Sequence, residues 1–380
     1  MSRIYLDHAA TTPMHPEVIQ VMADFMQQYF GNPSSIHAFG RESRRIVDEA
    51  RTTAARAINA EFNEIVFTSG GTEADNLALI GTALANQDRG KHIITTQIEH
   101  HAVLKTCEFL EKEGFEVTYL PVDKNGIVSL QSLRDSLRDD TILVSIMYAN
   151  NEIGTIQPIA EIGKILKDYP AYFHTDAVQA FGVLPIDVRK LGVDLLSVSA
   201  HKFNGPKGIG FLYIKDGVRI LPTLYGGEQE RKRRAGTENV AAIVGMQRAI
   251  ELSLENQEEK YQFYTRLREQ FIAALKQENI PFKINGAGTG QLPHILNIHF
   301  PGVEVEAMLV NLDLAGIAAS SGSACTAGSL EPSHVLNAVC GENAPEIYES
   351  IRFSFGYGNT PDEIQEAAKK TADIVRRLAR

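Results

Sequence analysis

The feature that most limits the possible folds is a regular alternation of apolar, β-rich runs and helical segments over the first 250 residues. Segments such as AVLKTCEFLEKEG and IAEIGKILKDY lie between the apolar runs and have helical periodicity. The alternation predicts an α/β domain with a seven-stranded, mostly parallel sheet between helices. The seven runs predicted to be strands are EIVFTSG, HIITT, EVTYLPV, TILVSIMYA, AYFHTDA, DLLSVSA and GIGFLYI.

The pattern changes near residue 252, where the alternation stops. The stretch ENQEEKYQFYTRLREQFIAALKQENI predicts one amphipathic helix, and shorter mixed segments and a charged C-terminal helix follow it. A chain of 380 residues exceeds the size at which a single hydrophobic core stops growing. We therefore predict a large domain over residues 15–255 and a smaller α+β domain formed by residues 1–14 and 256–380. The apolar positions of the amphipathic helix are Tyr264, Leu267, Phe271 and Leu275.

Charge and cysteine content exclude several classes of protein. The net charge of −10 argues against direct binding to nucleic acid or to an anionic membrane. No run of eighteen apolar residues occurs, and MSRIYLDHAATTPM lacks an apolar signal core, so we predict a cytoplasmic protein. Three cysteines in this length do not make a disulfide framework.

A glycine-rich motif follows the first strand of the predicted sheet, where ligands bind in open α/β folds. TSGGTEADN comes directly after EIVF and before a helical segment. Gly71 lets the backbone approach a ligand, the helix start offers unpaired N–H groups, and Thr72 adds a hydroxyl. The motif predicts a phosphate-binding turn, with an ordinary glycine turn capped by Thr72 as the alternative.

Three further motifs place reactive side chains after other predicted strands. SVSAHKFNGPKG carries Lys202, and a lysine in a partly apolar pocket has a lowered pKa and attacks carbonyls as the neutral amine. Asp176 and Gln179 close the strand in YFHTDAVQA, and His100 follows HIITT in IEHHAVL. Each has a structural alternative: a strand-end lysine that reaches solvent, an N-cap aspartate, and a helix-start histidine. Together they meet the needs of pyridoxal phosphate, which requires an amine, an acidic partner for its ring nitrogen and a phosphate site.

Ten motifs, spread over nearly the whole chain, resemble those of one family: YLDHAATTP, GNPSSIHAFGR, TSGGTEADN, EHHAVL, NNEIG, HTDAVQA, SAHKFNGPKG, RAGTEN, SSGSACTAGSLEPSHVL and IRFSFG. In them the chain resembles the cysteine desulfurases of the NifS/IscS type, which are class-V aminotransferases that use pyridoxal phosphate. The resemblance implies a fold type I transferase whose small domain carries a long cysteine loop, here about residues 320–332. The chain is also similar to Bacillus-type enzymes that pass sulfur to a tRNA thiolase.

The resemblance assigns a role to each matching residue. Thr237 matches a threonine that reaches the phosphate site of the partner subunit, which implies a homodimer with shared sites. The implied catalytic residues are Cys325, Lys202 and His100. The implied cofactor-binding residues are Gly71, Thr72, Asn151, Asp176, Gln179, Ser199, His201, Lys202 and Thr237. The implied substrate-binding residues are Asn32, Asn151 and Arg352.

Cys325 separates a desulfurase from other enzymes with the same cofactor. Its segment, ASSGSACTAGS, has no large apolar residue, which predicts an exposed loop whose thiol can act as a nucleophile. Cys107 and Cys340 lie in helical segments and are predicted to be structural. We therefore predict that L-cysteine is converted to L-alanine with a persulfide on Cys325. We expect no resident metal, although Cys325 could transiently bind a cluster.

Two other interpretations of the sequence stay open. The first is another pyridoxal-phosphate enzyme of this family, a selenocysteine lyase or an aminotransferase. The second is a non-catalytic thiol or iron–sulfur scaffold, which a lone loop cysteine disfavours because clusters normally take several ligands. For a desulfurase, the expected sulfur acceptor is an iron–sulfur scaffold or a tRNA thiolase.

Overall fold

The computed structural model describes residues 3–288, 290–321 and 332–379. The strands in these residues are β1 Ile4–Tyr5, β2 Ile65–Thr68, β3 His92–Thr96, β4 Glu116–Leu120, β5 Thr141–Ser145, β6 Tyr172–Asp176, β7 Leu195–Ser199, β8 Gly210–Ile214, β9 Lys283–Ile284, β10 Ile295–His299, β11 Ile317–Ala318 and β12 Ser350–Ser354. The helices are α1 Pro16–Gln28, α2 Ala38–Ala57, α3 Gly71–Asn76, α4 Thr82–Asn86, α5 His101–Lys112, α6 Leu130–Ser136, α7 Ile159–Leu166, α8 Val188–Leu191, α9 Val240–Leu254, α10 Gln257–Gln277, α11 Val305–Leu314, α12 His334–Cys340 and α13 Pro361–Leu378.

A seven-stranded sheet forms the centre of the larger part of the chain, in the order β2-β8-β7-β6-β5-β3-β4. β8 runs antiparallel to β2 and β7, and the other neighbouring strands are parallel. Each of the seven predicted runs contains one of these strands. Most of the strands are buried along their whole length because one apolar cluster covers each face of the sheet, which explains why they are continuously apolar in sequence. The predicted fold class is confirmed.

A second core lies in the C-terminal third of the chain. The antiparallel strands β9, β10 and β12 pack there with α10, α11 and α13. The parallel pair of β1 and β11 adds Ile4 and Leu6 to this core, although they come from the opposite end of the chain. Ala9, only a few residues later, packs in the core of the large sheet. The N-terminal segment therefore crosses from one core to the other.

The two cores divide between α9 and α10. Apolar side chains of α9 pack against the large sheet, whereas Leu267, Phe271 and Leu275 of α10 pack in the second core. Asn256, between the two helices, has a left-handed backbone with φ of 52°. This packing supports our proposal that the domain boundary lies at about residue 255.

We expect Phe271→Ala to destabilise the smaller core strongly. Phe271 is fully buried, and its ring centroid lies 4.8 Å from that of Phe353 and 5.8 Å from that of Phe355. Truncation of such a side chain costs about 3–5 kcal/mol of unfolding free energy. Urea unfolding followed by circular dichroism measures the loss, with the exposed Val310→Ala of α11 as a control. Equal losses in the two variants would contradict this account of the core.

Candidate active site

A cavity of about 730 Å³ opens at the carboxyl ends of the central strands. Ten of the residues predicted for the site line it: Gly71, Thr72, His100, Asn151, Asp176, Gln179, Ser199, His201, Lys202 and Arg352. They come together because parallel strands end at one edge of a sheet, and each motif follows a different strand. Arg352 reaches the same cavity from β12 of the smaller core.

The amine of Lys202 is held by the N-terminal segment of the chain. Lys202 ends a short 3₁₀ turn after β7, and its Nζ donates hydrogen bonds to the carbonyls of Ala9 and Ala10, at 2.5 and 2.9 Å. Gln179 Nε2 donates to the same Ala9 carbonyl at 3.0 Å. The Thr12 hydroxyl donates to the His201 carbonyl at 2.8 Å, so the N-terminal segment also fixes the backbone that carries the lysine.

Buried acidic groups lie at the base of the cavity. Asp176 ends β6, and its Oδ1 accepts a hydrogen bond from the Val178 N–H at 2.8 Å. Burial raises the pKa of Asp176 to about 6, although the positive charge of Lys202 opposes the shift. Asp75 of α3 is also buried and lines the cavity. Its pKa lies well above the usual range because of burial and the negative charge of Asp176.

A row of buried polar side chains on β5, β6 and β7 lies on the same side of the sheet as Asp176. His174 lies two residues before Asp176, so both side chains point to one face of β6. The two ring nitrogens of His174 lie 2.8 Å from Ser145 Oγ and 3.0 Å from Ser197 Oγ. Burial lowers the pKa of His174 to about 3, so this imidazole is neutral at physiological pH.

The glycine turn after β2 has the geometry of an anion site. Gly70 has φ of 146°, a conformation that side chains rarely adopt, and helix α3 begins at Gly71. A Cβ atom on Gly71 would lie 2.9 Å from Val178 Cγ2 and 3.5 Å from Ser199 Cβ, so only glycine fits this close approach comfortably. The first N–H groups of a helix have no partner inside it and carry partial positive charge. They are therefore available to an anion beside Thr72 and Ser199.

His100 combines the helix-start position considered as its structural alternative with a place in the cavity wall. It is the N-cap of α5, where its Nδ1 accepts a hydrogen bond from the Ala102 N–H at 3.1 Å, and it also lines the cavity. Burial lowers its pKa to about 4, and the charge of Lys202 adds to the shift. His201 likewise has a pKa lowered to about 4, chiefly by burial. Both imidazoles are neutral near pH 7.

Arg352 is the buried cation that faces the cavity from the smaller core, with 2% of its surface exposed. Its Nη1 donates to the Asn151 carbonyl at 2.9 Å, and its Nη2 forms an ion pair with Asp7 Oδ1 at 2.9 Å. These bonds fix the plane of the guanidinium. A substrate carboxylate that binds here meets an oriented fork of donors.

Three of the predicted site residues are not in this group. Asn32 and Thr237 are exposed and do not line the cavity, and Cys325 lies outside the described residues. Cys107 is buried in the core of the sheet, as expected for a structural cysteine, and the half-buried Cys340 is the last residue of α12. Sequence reasoning missed Asp7 and Asp75, although both carboxylates occur inside the quoted motifs YLDHAATTP and TSGGTEADN.

Comparison with known proteins shows the same family along almost the whole chain. Residues 4–366 match the family model described as aminotransferase class-V. A Bacillus subtilis protein with the provisional name cysteine desulfurase IscS 1 is 61% identical over 100% of both chains. A solved NifS-like protein is 38% identical, with a TM-score of 0.93 over 99% of this chain and 100% of that one. The structure of SspA in complex with cysteine is 35% identical, with a TM-score of 0.81 over 93% and 98%.

The chain belongs to the class-V aminotransferase family. Within it, the chain belongs to the cysteine desulfurases, since relatives that carry this name are 50–54% identical over nearly their whole length. These comparisons confirm the predicted family and the prediction of an enzyme that depends on pyridoxal phosphate. The cavity fits that cofactor, because a close-packed glycine turn, a buried carboxylate and a strand-end lysine all face one space.

In residues 3–288, 290–321 and 332–379, no group of three or more His, Cys, Asp or Glu side chains could hold a metal ion. The helices of the same ranges include none that is long and apolar enough to cross a membrane.

The neutral state of His174 predicts a specific dependence of stability on pH. The unfolded chain takes up a proton on this histidine near pH 6.5, whereas the folded protein does so only near pH 3, so stability is lost as the pH falls through this interval. The stability advantage of the wild type over His174→Gln should shrink by about 1.6 kcal/mol between pH 6.5 and 5.0. Urea unfolding at both pH values measures the change.

Ser145→Ala is the matched control for this measurement. It removes one hydrogen bond to the imidazole at 2.8 Å but leaves the titrating ring in place. Its stability deficit relative to the wild type should therefore stay nearly constant with pH. A deficit of His174→Gln that is equally constant would contradict the neutral, buried imidazole.

Proposed function

We propose that this protein removes sulfur from L-cysteine and yields L-alanine and a persulfide on Cys325. The observation that carries the proposal is the single cavity that Lys202, Asp176, His100 and Arg352 share in a chain of the cysteine desulfurase family. The relative solved with cysteine supports the choice of substrate. The ion pair of Arg352 supplies a fixed guanidinium for the amino-acid carboxylate.

We propose that pyridoxal phosphate binds with its phosphate at the glycine turn, near Gly71, Thr72, Ser199 and His201. Asp176 would pair with the ring nitrogen, and Gln179 would donate to the phenolic oxygen. Bound to an amine, this cofactor withdraws electrons from the substrate α-carbon and makes its proton acidic. The flat, neutral ring of His100 at the cavity wall suits stacking on the cofactor.

Substrate and proton handling follow from the remaining side chains. Arg352, with Asn151 and Asn32, would hold the substrate carboxylate, which sets the amine of the substrate near the amine of Lys202. Lys202 and His100 are the groups that move protons at the α-carbon. The Cys325 thiolate then attacks the substrate sulfur: a sulfur–sulfur bond forms, and the carbon–sulfur bond breaks with its electron pair passing to carbon. Protonation of that carbon completes L-alanine, and Cys325 keeps the persulfide.

The physiological setting completes the proposal. The protein acts as a homodimer in the cytoplasm and passes the persulfide sulfur to an acceptor protein, either an iron–sulfur scaffold or a tRNA thiolase. Thr237 would complete the phosphate site of the partner subunit. Its exposure in the single chain supports this, because the side chain is free to meet a second subunit.

The decisive test of the nucleophile is Cys325→Ser. The variant should still bind pyridoxal phosphate and cysteine but lose sulfur transfer, because a serine hydroxyl stays protonated near neutral pH whereas a thiol with pKa of about 8.5 is partly ionised. Mass spectrometry of the holoenzyme after brief exposure to cysteine should show one added sulfur on the Cys325 peptide of the wild type alone. Cys340→Ser is the control and should keep the modification. Added sulfur on Cys107 or Cys340 would overturn the assignment.

The shared site is tested with hybrid dimers. A Lys202→Ala chain paired with a Thr237→Ala chain has one native site, since Lys202 comes from one chain and Thr237 from the other. Such hybrids should recover roughly half of the wild-type desulfurase activity, although each parent variant is impaired. Hybrids shown to form but without recovered activity would contradict a site completed by the partner.

A further inference from the structure

The segment of residues 228–239, EQERKRRAGTEN, carries Thr237 and has an unusual backbone. Glu230, Arg231 and Lys232 are consecutive residues with left-handed φ values of 46°, 55° and 65°. Non-glycine residues seldom adopt this conformation, and a succession of three persists only where the surroundings determine it. Three ion pairs connect this segment to the elements around the glycine turn.

The first ion pair is buried and bidentate. Arg51 of α2 binds Glu230 through Nη1–Oε2 at 2.6 Å and Nη2–Oε1 at 2.7 Å, with 3% and 2% of the side chains exposed. Glu230 Oε2 also accepts from the Phe67 N–H at 3.0 Å, and Arg51 donates to the Ile65 carbonyl at 2.7 Å. Both backbone groups belong to β2, the strand that leads into the glycine turn. The pair therefore fixes the left-handed residues against β2.

The second ion pair reaches the glycine turn itself. Arg234 binds Glu73 through Nε–Oε1 at 2.8 Å and Nη2–Oε2 at 3.2 Å. Glu73 is the third residue of α3, next to Thr72, and its Oε2 accepts from the Ser69 N–H at 2.8 Å. One carboxylate thus holds the turn and the Thr237 segment together.

The third ion pair fixes the far side of Thr237. Arg44 of α2 binds the buried carboxylate of Glu238 through Nη2 and Oε1 at 3.0 Å. The Nε of Arg44 donates to the Pro33 carbonyl at 3.2 Å, which adjoins Asn32. Thr237 stands between Arg234 and Glu238, so ion pairs flank it on both sides while its own side chain stays exposed.

We propose that these three ion pairs form one brace that positions Thr237 for the partner subunit and, through Glu73, holds the phosphate-binding turn of its own subunit. Arg234 is a positioning residue in this scheme and contacts neither substrate nor cofactor. This inference rests on the proposed homodimer. It goes further in that a change at Arg234 must weaken cofactor binding at two sites, its own and that of the partner. By linkage, cofactor binding and subunit association then strengthen one another.

Hybrid dimers distinguish the brace from a local structural role. One chain carries Lys202→Ala, so only the other chain, the reporter chain, can bind the cofactor covalently. Arg234→Gln is placed either in the reporter chain or in the Lys202→Ala chain. After equilibration with graded pyridoxal phosphate and borohydride reduction, mass spectrometry measures the labelled fraction of Lys202. The concentration of cofactor for half labelling should rise about threefold to tenfold in both placements. This is the effect expected when a partly exposed, bidentate ion pair such as Arg234–Glu73 is lost.

Three further variants complete the experiment. Thr237→Ala should raise the cofactor concentration for half labelling only when it is placed in the Lys202→Ala chain, because Thr237 contributes only to the site of the partner subunit. The double variant Glu73→Gln/Arg234→Gln keeps the charge balance. It should show the same loss of cofactor affinity as Arg234→Gln in both placements, because the ion pair is still absent. Arg45→Gln removes the Arg45–Glu49 pair on α2, whose side chains are 61% and 53% exposed. It should leave the cofactor concentration for half labelling unchanged in both placements.

The outcomes separate the brace from the shared site. Suppose that Thr237→Ala lowers cofactor affinity as expected but Arg234→Gln lowers it in one placement only. The brace is then wrong, and the shared site stands. Recovery of affinity in the double variant would show that only the unpaired charge of Glu73 mattered, which also overturns the brace. If Thr237→Ala lowers cofactor affinity in neither placement, the shared site is wrong, and the brace is wrong as well.

Discussion

A charged amine at the inner end of a buried strand must be given acceptors, and the way Lys202 obtains them shapes the whole molecule. The acceptors are the Ala9 and Ala10 carbonyls, which lie more than 190 positions away in the chain. The N-terminal segment begins in the smaller core, paired with β11, and crosses to the large sheet to supply them. The amine that would hold the cofactor therefore lies where the two cores are tied together.

The electrostatics of the cavity follow from burial. His100 and His201 have pKa values lowered to about 4, whereas the pKa of Asp176 is raised to about 6. Near pH 7 the imidazoles are thus neutral and Asp176 is ionised, with Asp75 behind it favouring its protonated form because of burial and the Asp176 charge. The positive charge of Lys202 only partly offsets the cost of burying the Asp176 carboxylate, whose pKa is still raised. A protonated ring nitrogen would supply a further cation, so the arrangement favours occupancy by a pyridinium group.

The sequence predicted the elements whose signal is local. The seven strands are predictable because both faces of the sheet are covered, which makes the strands continuously apolar. Six of the residues that line the cavity are predicted because they follow strands: Gly71, Thr72, His100, Asp176, Gln179 and Lys202. Only the family resemblance indicates the other four, Asn151, Ser199, His201 and Arg352. The carbonyls of Ala9 and Ala10 could not be found this way, since backbone acceptors leave no mark on side-chain identity. The ion pair of Asp7 with Arg352 joins residues 345 positions apart, and neither motif indicates the other. The left-handed residues from Glu230 to Lys232 contain no glycine, so turn chemistry gave no sign of them.

The two predicted site residues that do not line the cavity share one surface. Asn32 is tied through the Pro33 carbonyl and Arg44 to Glu238, next to Thr237. Large apolar side chains surround Asn32 in sequence: Phe30, Ile36 and Phe39 are 80%, 91% and 54% exposed. Clustered exposed apolar side chains on a folded chain mark a surface that another molecule covers. A second copy of this chain meets the requirement, because it would cover the apolar side chains and bring Thr237 to a phosphate site that the single chain leaves without it. The exposure of Thr237 and Asn32 therefore supports the proposed site built from two subunits.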